Sequence, residues 1–475
     1  MKASDEPQQR TLVMKFGGTS VGTPEAVAQA AQIVAGSRAN WPRLVVVTSA
    51  LAGVTNLLLD SATQAVQGNT HTCLQTAAEL RTRHDAITAT LVLDPARQNQ
   101  VRQDTSHLIT EFTNLCQAIA VLGEATPRAL DAVASLGERM AVRVLAAAIE
   151  SLGLPAQIVE ATQLIVTDGV FQSAHPDIDA TILHTRQVLD PILAQGRIPV
   201  VTGFIGATPS GVTTTLGRGG SDYSAALLGA VLPADEVWIW TDVDGVMTAD
   251  PRLVPDARTI PELSYREISE LAYYGAKVVH PKTIRPVIEA GIELRILNTF
   301  NPEHSGTRLV ADHEGTNGKV IKAVTAIPGI QLITVEGRGM LGVPGVAART
   351  FGTVAAVGVS VPLISQASSE QSICFAIPCE ASQKVVSALQ NTFAQEIARK
   401  DIDRVWATGE VVIITVVGAG MRCTPGISGQ VFSALGQCNV NVVAIAQGSS
   451  EVSISLIVAA GDLKPALAAL HALIE

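Results

Sequence analysis

Aromatic residues make up only 4% of the chain and charged residues only 16%. So low a charge content, beside 47% hydrophobic residues, excludes an extensively disordered chain, which lacks apolar material to bury. Acidic residues outnumber basic ones, 43 to 33, for a net charge of −10. A general nucleic-acid binder needs a basic face, so that class is set aside, although a local basic site for a small anion remains compatible. The six cysteines, at 73, 116, 374, 379, 423 and 438, form no C-x-x-C pair and no zinc-spaced cluster with histidine. They read as reduced thiols of a cytoplasmic protein, mostly small core residues. Long apolar runs are also missing. The best, Val411 to Val417, is far too short to span a membrane as a helix. The first ten residues are polar, without the apolar stretch of a signal peptide, and are expected to form a disordered tail.

What is present is alternation. Short apolar runs at Leu12–Phe16, Leu44–Thr48, Ile198–Thr202 and Val237–Thr241 each end in Gly, Ser, Thr or Asp. Continuous runs suit strands covered on both faces, hence a mostly parallel sheet between helices. Ala-rich stretches at 25–36, 131–152 and 221–231 supply helices, and 72–123 reads as an inserted helical subdomain. A polar, breaker-rich segment at 311–318 marks the expected main domain boundary. Beyond it lies a duplication. Leu332–Ile377 aligns on Ile413–Val458 at a constant offset, without a gap, and 18 of 46 positions are identical. Each copy reads strand, Gly-rich turn, helix, strand, turn, strand. Two copies are too few for a solenoid, so a pair packed side by side is expected.

Four motifs carry chemistry. Lys15-Phe16-Gly17-Gly18-Thr19-Ser20 follows the first strand. Paired glycines let backbone N–H groups approach an anion, and Lys15 adds a point charge; alone, the same pattern is an ordinary tight turn. Leu216-Gly217-Arg218-Gly219-Gly220-Ser221-Asp222 runs straight into a helix. Backbone, helix dipole and arginine there combine into an anion site, with Ser221 or Asp222 as a candidate N-cap. Thr241-Asp242-Val243-Asp244-Gly245 hints at a calcium loop, but no glutamate closes it. Gly275-Ala276-Lys277-Val278-Val279-His280-Pro281 is the fourth. A further stretch, Gly337 to Gly342, fits the dinucleotide fingerprint G-x-G-x-x-G. Its repeat copy has Cys423 in place of the third glycine, and no acidic residue stands at the required distance, so it reads as a regulatory-domain turn.

In this order the motifs, with SALAGVTN at 49–56 and SLGERM at 135–140, resemble the amino acid kinase family and, within it, the aspartate kinases. The repeat resembles their paired ACT regulatory domains, closest to the kinase half of bifunctional aspartokinase–homoserine dehydrogenases. The chain ends at Glu475, soon after the second repeat, so no dehydrogenase domain is expected. The resemblance implies a three-layer αβα catalytic domain over 11–318, with a mostly parallel central sheet, and two ferredoxin-like βαββαβ ACT domains. The first would span 329–402 and be inserted in the second, built from 319–328 and 403–475.

The resemblance also implies roles. Lys15 would sit over the transferring phosphoryl group and Asp222 would organise it, the two being catalytic. Thr55, Glu138, Arg218 and Ser221 would bind L-aspartate, with Glu138 at its ammonium and Arg218 at its α-carboxylate. Gly17, Gly18, Thr241, Asp242, Arg252 and Lys277, with Lys15, would bind ATP. Mg²⁺ would arrive with ATP, without a protein metal cage. Met247 stands where many relatives have Tyr. Gln366 and Gln447, equivalent in the two repeats and each followed by Ser-Ser-Glu, are the expected effector residues. That pattern resembles the threonine-sensitive branch, while Glu370 and Glu451 leave lysine open. At least a homodimer through the ACT domains is expected. A kinase for glutamate or acetylated glutamate, and a catalytically silent amino-acid sensor, are the competing readings. The paired repeats and SLGERM argue against the first; intact Lys15, Arg218 and Asp222 argue against the second.

Overall fold

The computed structural model describes residues 10–474 except 274–278, 280, 312–319, 368, 370, 422–423 and 449–451. The expectations placed on the N-terminal tail, on Lys277, His280, Cys423, Glu370 and Glu451, and on the boundary at 312–318 therefore lie outside the described residues. Two compact bodies emerge. One comprises Met1–Val246, Thr259–Tyr265 and Lys277–Ala311; the other comprises Met247–Arg258, Arg266–Ala276 and Asp312–Glu475. The chain is thus not divided by one cut near 311–318. Two excursions from within the expected catalytic stretch belong to the second body.

The first body begins with β1 (Thr11–Phe16), α1 (Pro24–Ser37), β2 (Arg43–Thr48), α2 (Val54–Val66), α3 (Thr70–Leu91), α4 (Pro95–Leu122) and α5 (Pro127–Ser151). It continues through β3 (Ala156–Val159), α6 (Ile178–Ala194), β4 (Ile198–Thr202), β5 (Ile205–Ala207), β6 (Thr213–Thr215), α7 (Gly220–Val231) and β7 (Glu236–Thr241). After β8 (Glu262–Ser264) the chain forms α8 (Tyr265–Tyr273), which from Arg266 on belongs to the second body, and the first body resumes with α9 (Pro281–Ala290), β9 (Glu293–Asn298) and β10 (Thr307–Val310). Three helices start alike. Thr23, Asp94 and Thr126 each accept backbone N–H bonds from the first turn. A proline follows each at the first helical position, where its missing N–H costs nothing.

The sheet runs β3-β4-β2-β1-β7-β9-β10-β8. All its pairings are parallel except that of β10 with β9. All six residues of β1 are buried, as a central strand covered on both faces requires. Because β2 lies on one side of β1 and β7 on the other, the winding reverses at β1. A crevice opens at the C-terminal ends of the strands at such a point. The stretch expected as an inserted subdomain is helical but not separate. Leu80, Ile87, Leu108 and Phe112 of α3 and α4 join the same core as Leu12 and Met14.

In the second body the elements are β11 (Ala323–Glu336), α10 (Val346–Ala356), β12 (Leu363–Gln366), β13 (Ser372–Pro378), α11 (Ser382–Thr392), α12 (Ala394–Arg399), β14 (Arg404–Val417), α13 (Ile427–Gln437), β15 (Ala444–Ala446), β16 (Ser453–Ala459) and α14 (Leu463–His471). They build an antiparallel sheet in the order β12-β13-β11-β14-β16-β15. Strand β11 serves both repeats. Ala323–Ile327 pairs with Ile413–Val417, and Ile330–Glu336 pairs with Ser372–Pro378. The register breaks between Ile327 and Ile330. Pro328 has no N–H to give there, and Gly329 adopts a left-handed φ. The fingerprint-like Gly337–Gly342 segment is a short turn packed on the backbone of Asp401, not a strand–helix phosphate loop.

The cysteines correct one expectation. Of the five described, all free, only Cys73 and Cys116 are buried, while Cys374 and Cys379 are half-buried and Cys438 is exposed. Cys379 and Cys438 stand just past the ends of β13 and α13, where the core no longer covers them fully. Among the described residues no helix is long and apolar enough to cross a membrane.

Candidate active site

A cavity of about 500 Å³ opens at the end of β1. Lys15, Gly18, Thr55, Glu138, Arg218, Ser221 and Asp222, drawn from separate segments, all line it. Lys15 is the penultimate residue of β1 and is nearly buried. Its Nζ lies 2.5 Å from Asp222 Oδ1. Asp222 reaches it because Gly219, in the left-handed conformation, turns the chain into α7 and places Asp222 in the first helical turn. Gly219 is therefore the N-cap, and neither Ser221 nor Asp222 takes that position. Side chains there are released from capping and free to face the cavity.

Gly17 donates its N–H to Trp240 O at 3.0 Å, which ties the turn after β1 to β7. Gly18 lies against the 49–53 loop. A Cβ on it would come within 3.0 Å of Ala50 O, so no larger residue fits without moving backbone. Its carbonyl accepts the Ala52 N–H at 3.0 Å. This close approach brings Ser49–Asn56 to the cavity and with it Thr55.

Glu138 sits on α5 with only 3% of its surface exposed. The Ala50 N–H donates to Oε1 at 3.1 Å, and Oε2 has no protein partner. Burial pushes its carboxyl up to about 8, against the lowering influence of the Ala50 N–H and the Lys15 charge. A buried carboxyl with an unpaired oxygen, lining the cavity, is suited to receiving a cationic group.

Thr241 and Asp242 close β7, and the Thr241 hydroxyl donates to Asp242 at 3.2 Å. Asp244, within the calcium-like sequence, accepts the side-chain amides of Asn298 and Asn301 at 2.8 and 3.0 Å. Among the described residues no group of three or more acidic, His or Cys side chains could hold a metal. Arg252 belongs to the second body, where it forms an exposed pair with Asp250 at 2.7 Å.

Sequence reasoning missed Asp131, Gln172 and Phe204, which also line the cavity. Asp131 could have been found: it lies two helical turns before Glu138 on the same face of α5. Gln172 and Phe204 carried no signal. Each owes its position to a left-handed backbone that only the fold imposes.

In the second body, Gln366, at the end of β12, lines a cavity of about 360 Å³ with Met340, Val343, Pro344, Val346 and Ile373. Gln447 is exposed, just after β15.

A buried lysine–aspartate pair, a glycine cradle and a helix N-terminus at the reversal point of a parallel sheet define a fold built to bind phosphate groups. The chain belongs to the amino acid kinase family, whose description matches residues 10–298. Residues 333–393 and 414–473 each match the ACT domain. A chloroplastic bifunctional aspartokinase/homoserine dehydrogenase 1 of Zea mays is 37% identical over 467 residues, 97% of this chain and 50% of its own length. The chain thus spans about half the length of the bifunctional relatives it matches. E. coli aspartokinase III in complex with aspartate and ADP, the R-state, superposes with a TM-score of 0.79 at 30% identity, covering 98% of this chain and 99% of that one. The T-state of the same enzyme, with lysine and aspartate, gives a TM-score of 0.78 at 31% identity, with the same coverage.

Proposed function

We propose that this chain is an aspartate kinase, transferring the γ-phosphoryl group of ATP to the β-carboxylate of L-aspartate to give 4-phospho-L-aspartate. The observation that carries the reading is the meeting, in one cavity, of the Lys15–Asp222 pair with Glu138 and Arg218. The similar E. coli enzyme in complex with aspartate and ADP supports it.

The β-carboxylate of aspartate ionises near pH 4, so it attacks without a general base. The chain's work is alignment and charge compensation. Lys15, pinned by Asp222, is held where negative charge shifts during transfer. The Gly17–Gly18 turn brings the backbone at Gly18 to the phosphates, while the Gly17 N–H, donated to Trp240 O, anchors the turn to β7. Arg218 takes the α-carboxylate and the unpaired Glu138 oxygen takes the ammonium, with Thr55 and Ser221 beside them. Mg²⁺ accompanying ATP would supply further neutralisation of charge on the phosphates. Phosphates and water would hold most of its shell. Thr241, Asp242, Arg252 and Lys277 are assigned to the nucleotide on the resemblance.

The repeats are assigned as two interleaved ACT domains, 329–402 within 319–328 and 403–475, that bind an amino acid and inhibit the kinase. L-threonine is the proposed effector, in the cavity beside Gln366, where a side-chain amide both donates and accepts. The lysine complex of the E. coli relative keeps lysine as the comparison ligand. Strands β12 and β15 end their sheet, and pairing along such edges supports a homodimer. Free thiols suit the cytoplasm.

The test is ADP release by the purified chain with MgATP and L-aspartate. Release with aspartate and not with glutamate or acetylglutamate is expected. Release with either of those instead, or with none, sinks the assignment.

A further inference from the structure

Asp131 is 1% exposed, yet it carries a carboxylate that no part of phosphoryl transfer uses directly. Its partners come from two separate segments. The Thr215 N–H donates to Oδ2 at 2.9 Å and the Thr215 hydroxyl to Oδ1 at 2.8 Å. The Gln172 N–H donates to both oxygens, at 3.1 and 3.0 Å. One side chain on α5 thus gathers the end of β6 and the tip of the 168–175 loop.

Both segments are special. Gln172 holds a left-handed φ, an uncommon conformation for a residue with a Cβ, which persists only where surroundings impose it. Gly217, two residues after Thr215, is also left-handed, and a Cβ on it would come within 3.0 Å of Gln172 O. The loop tip therefore rests on the glycine that immediately precedes Arg218. The Ala174 N–H donates to Thr215 O at 2.9 Å and closes the same knot from the other side. On α5, Glu138 lies two turns beyond Asp131 on the face lining the cavity.

We propose that Asp131 is a positioning residue that fixes the separation between Glu138 and Arg218, and so sets how the enzyme grips its amino-acid acceptor. The inference rests on the aspartate-kinase reading. Asp131 acts through hydrogen bonds that lock β6 and the 168–175 loop to α5, not through its charge on the substrate. Loss of the lock lets Arg218 drift from Glu138. Neither Lys15 nor the Gly17–Gly18 turn is attached to this knot, so the nucleotide end stays as it was.

Three variants test this: Asp131→Ala, Asp131→Asn and Thr215→Val. Asparagine can keep the lock. Its oxygen accepts the two N–H groups, and its amide donates to the Thr215 hydroxyl, which can turn to accept. Asp131→Ala is expected to raise the aspartate KM about tenfold or more, on the scale of a lost charge-assisted bond. The ATP KM should stay within about twofold, hydrogen exchange at the Gln172 and Thr215 amides should speed up, and Asp131→Asn should restore the aspartate KM and the slow exchange. An unchanged aspartate KM, a parallel rise in the ATP KM, or an asparagine variant as impaired as alanine overturns the proposal. If the alanine variant does not fold, Thr215→Val decides, since it removes one of the bonds and keeps the carboxylate. A rise of about threefold in the aspartate KM is expected from it, and none overturns the proposal. Wild-type chain that releases no ADP with aspartate fails the kinase reading itself, whereas active wild type with normal variants fails the positioning role alone.

Discussion

Lys15 Nζ and Asp222 Oδ1 stand 2.5 Å apart, one at the end of the first strand and the other in the first turn of a helix distant in sequence. Both are largely buried, so the pair is shielded from solvent and from salt. In the proposed reaction the lysine ammonium would already be in place when substrate arrives, with little reorganisation left for the transfer step.

Replacing Lys15 by alanine is expected to lower turnover by at least ~10²-fold with only a modest loss of nucleotide binding, because the charge serves mainly the transition state. Steady-state turnover and nucleotide titration of the purified variant check this. Near-normal turnover would remove Lys15 from the mechanism.

Arg218→Ala should raise the aspartate KM sharply and leave ATP binding little changed. A charge-assisted hydrogen bond to a carboxylate is worth ~1.5–3 kcal/mol, equivalent to roughly ten- to over a hundredfold in KM. A variant that instead loses ATP binding places Arg218 at the nucleotide.

On the proposed role of Glu138 at the acceptor ammonium, acceptor binding should depend on pH. With its carboxyl raised from 4.5 to about 8, the free protein keeps it protonated at neutral pH. An ammonium needs the carboxylate, so the aspartate KM should fall as pH rises toward about 8 and then level off. The stability sign is opposite. Since the folded value lies above the unfolded one, Glu138 contributes fully below pH 4.5, and its contribution is lost as pH climbs to about 8. Glu138→Gln should therefore melt at higher temperature than wild type on the alkaline side, while its aspartate KM is high and nearly independent of pH. Parallel KM profiles for the two proteins would refute this.

His84 is expected to contribute on the acid side. It is fully buried in α3, its Nδ1 2.7 Å from Leu80 O and its Nε2 unpartnered. Burial lowers its pKa from 6.5 to about 4. The unfolded chain then takes up a proton that the folded one refuses, so stability should fall as pH drops from 6.5 to about 4. The loss is roughly 3 kcal/mol at most. Denaturant titrations of His84→Gln across that window should show a flatter profile. An equal slope would assign the acid loss to other groups.

Gln366→Ala should raise the threonine concentration needed for inhibition by at least about fivefold, the lower end of ordinary allosteric coupling, without altering uninhibited turnover. Both glutamines are exposed, but Gln366 lines a cavity, so Gln366→Ala is expected to act at least as strongly as Gln447→Ala. Calorimetry with threonine and lysine checks the ligand. Binding of lysine alone would reassign the effector.

Much was written in local pattern. Apolar runs ending in Gly, Ser, Thr or Asp became the parallel strands, since a strand buried on both faces must be apolar throughout. Thr-Pro and Asp-Pro pairs set helix starts, and the duplication announced two like modules. Lys15, Gly18 and Asp222 were expected together on the resemblance of their motifs, which local spacing alone left as a tight turn and an N-cap, and all three line one cavity. The interleaving of the repeats was expected on the resemblance alone, and the transfer of Met247–Arg258 and Arg266–Ala276 to the second body depended on partners far away in sequence. The raised carboxyl of Glu138 depended on burial, which no neighbouring residue encodes. Asp131 shows the division most clearly. Its helix face was periodic in the sequence, but its bonding to Gln172 and Thr215 required the packing that carries two loops across α5. Periodicity can say which way a side chain points; only the tertiary structure decides what meets it there.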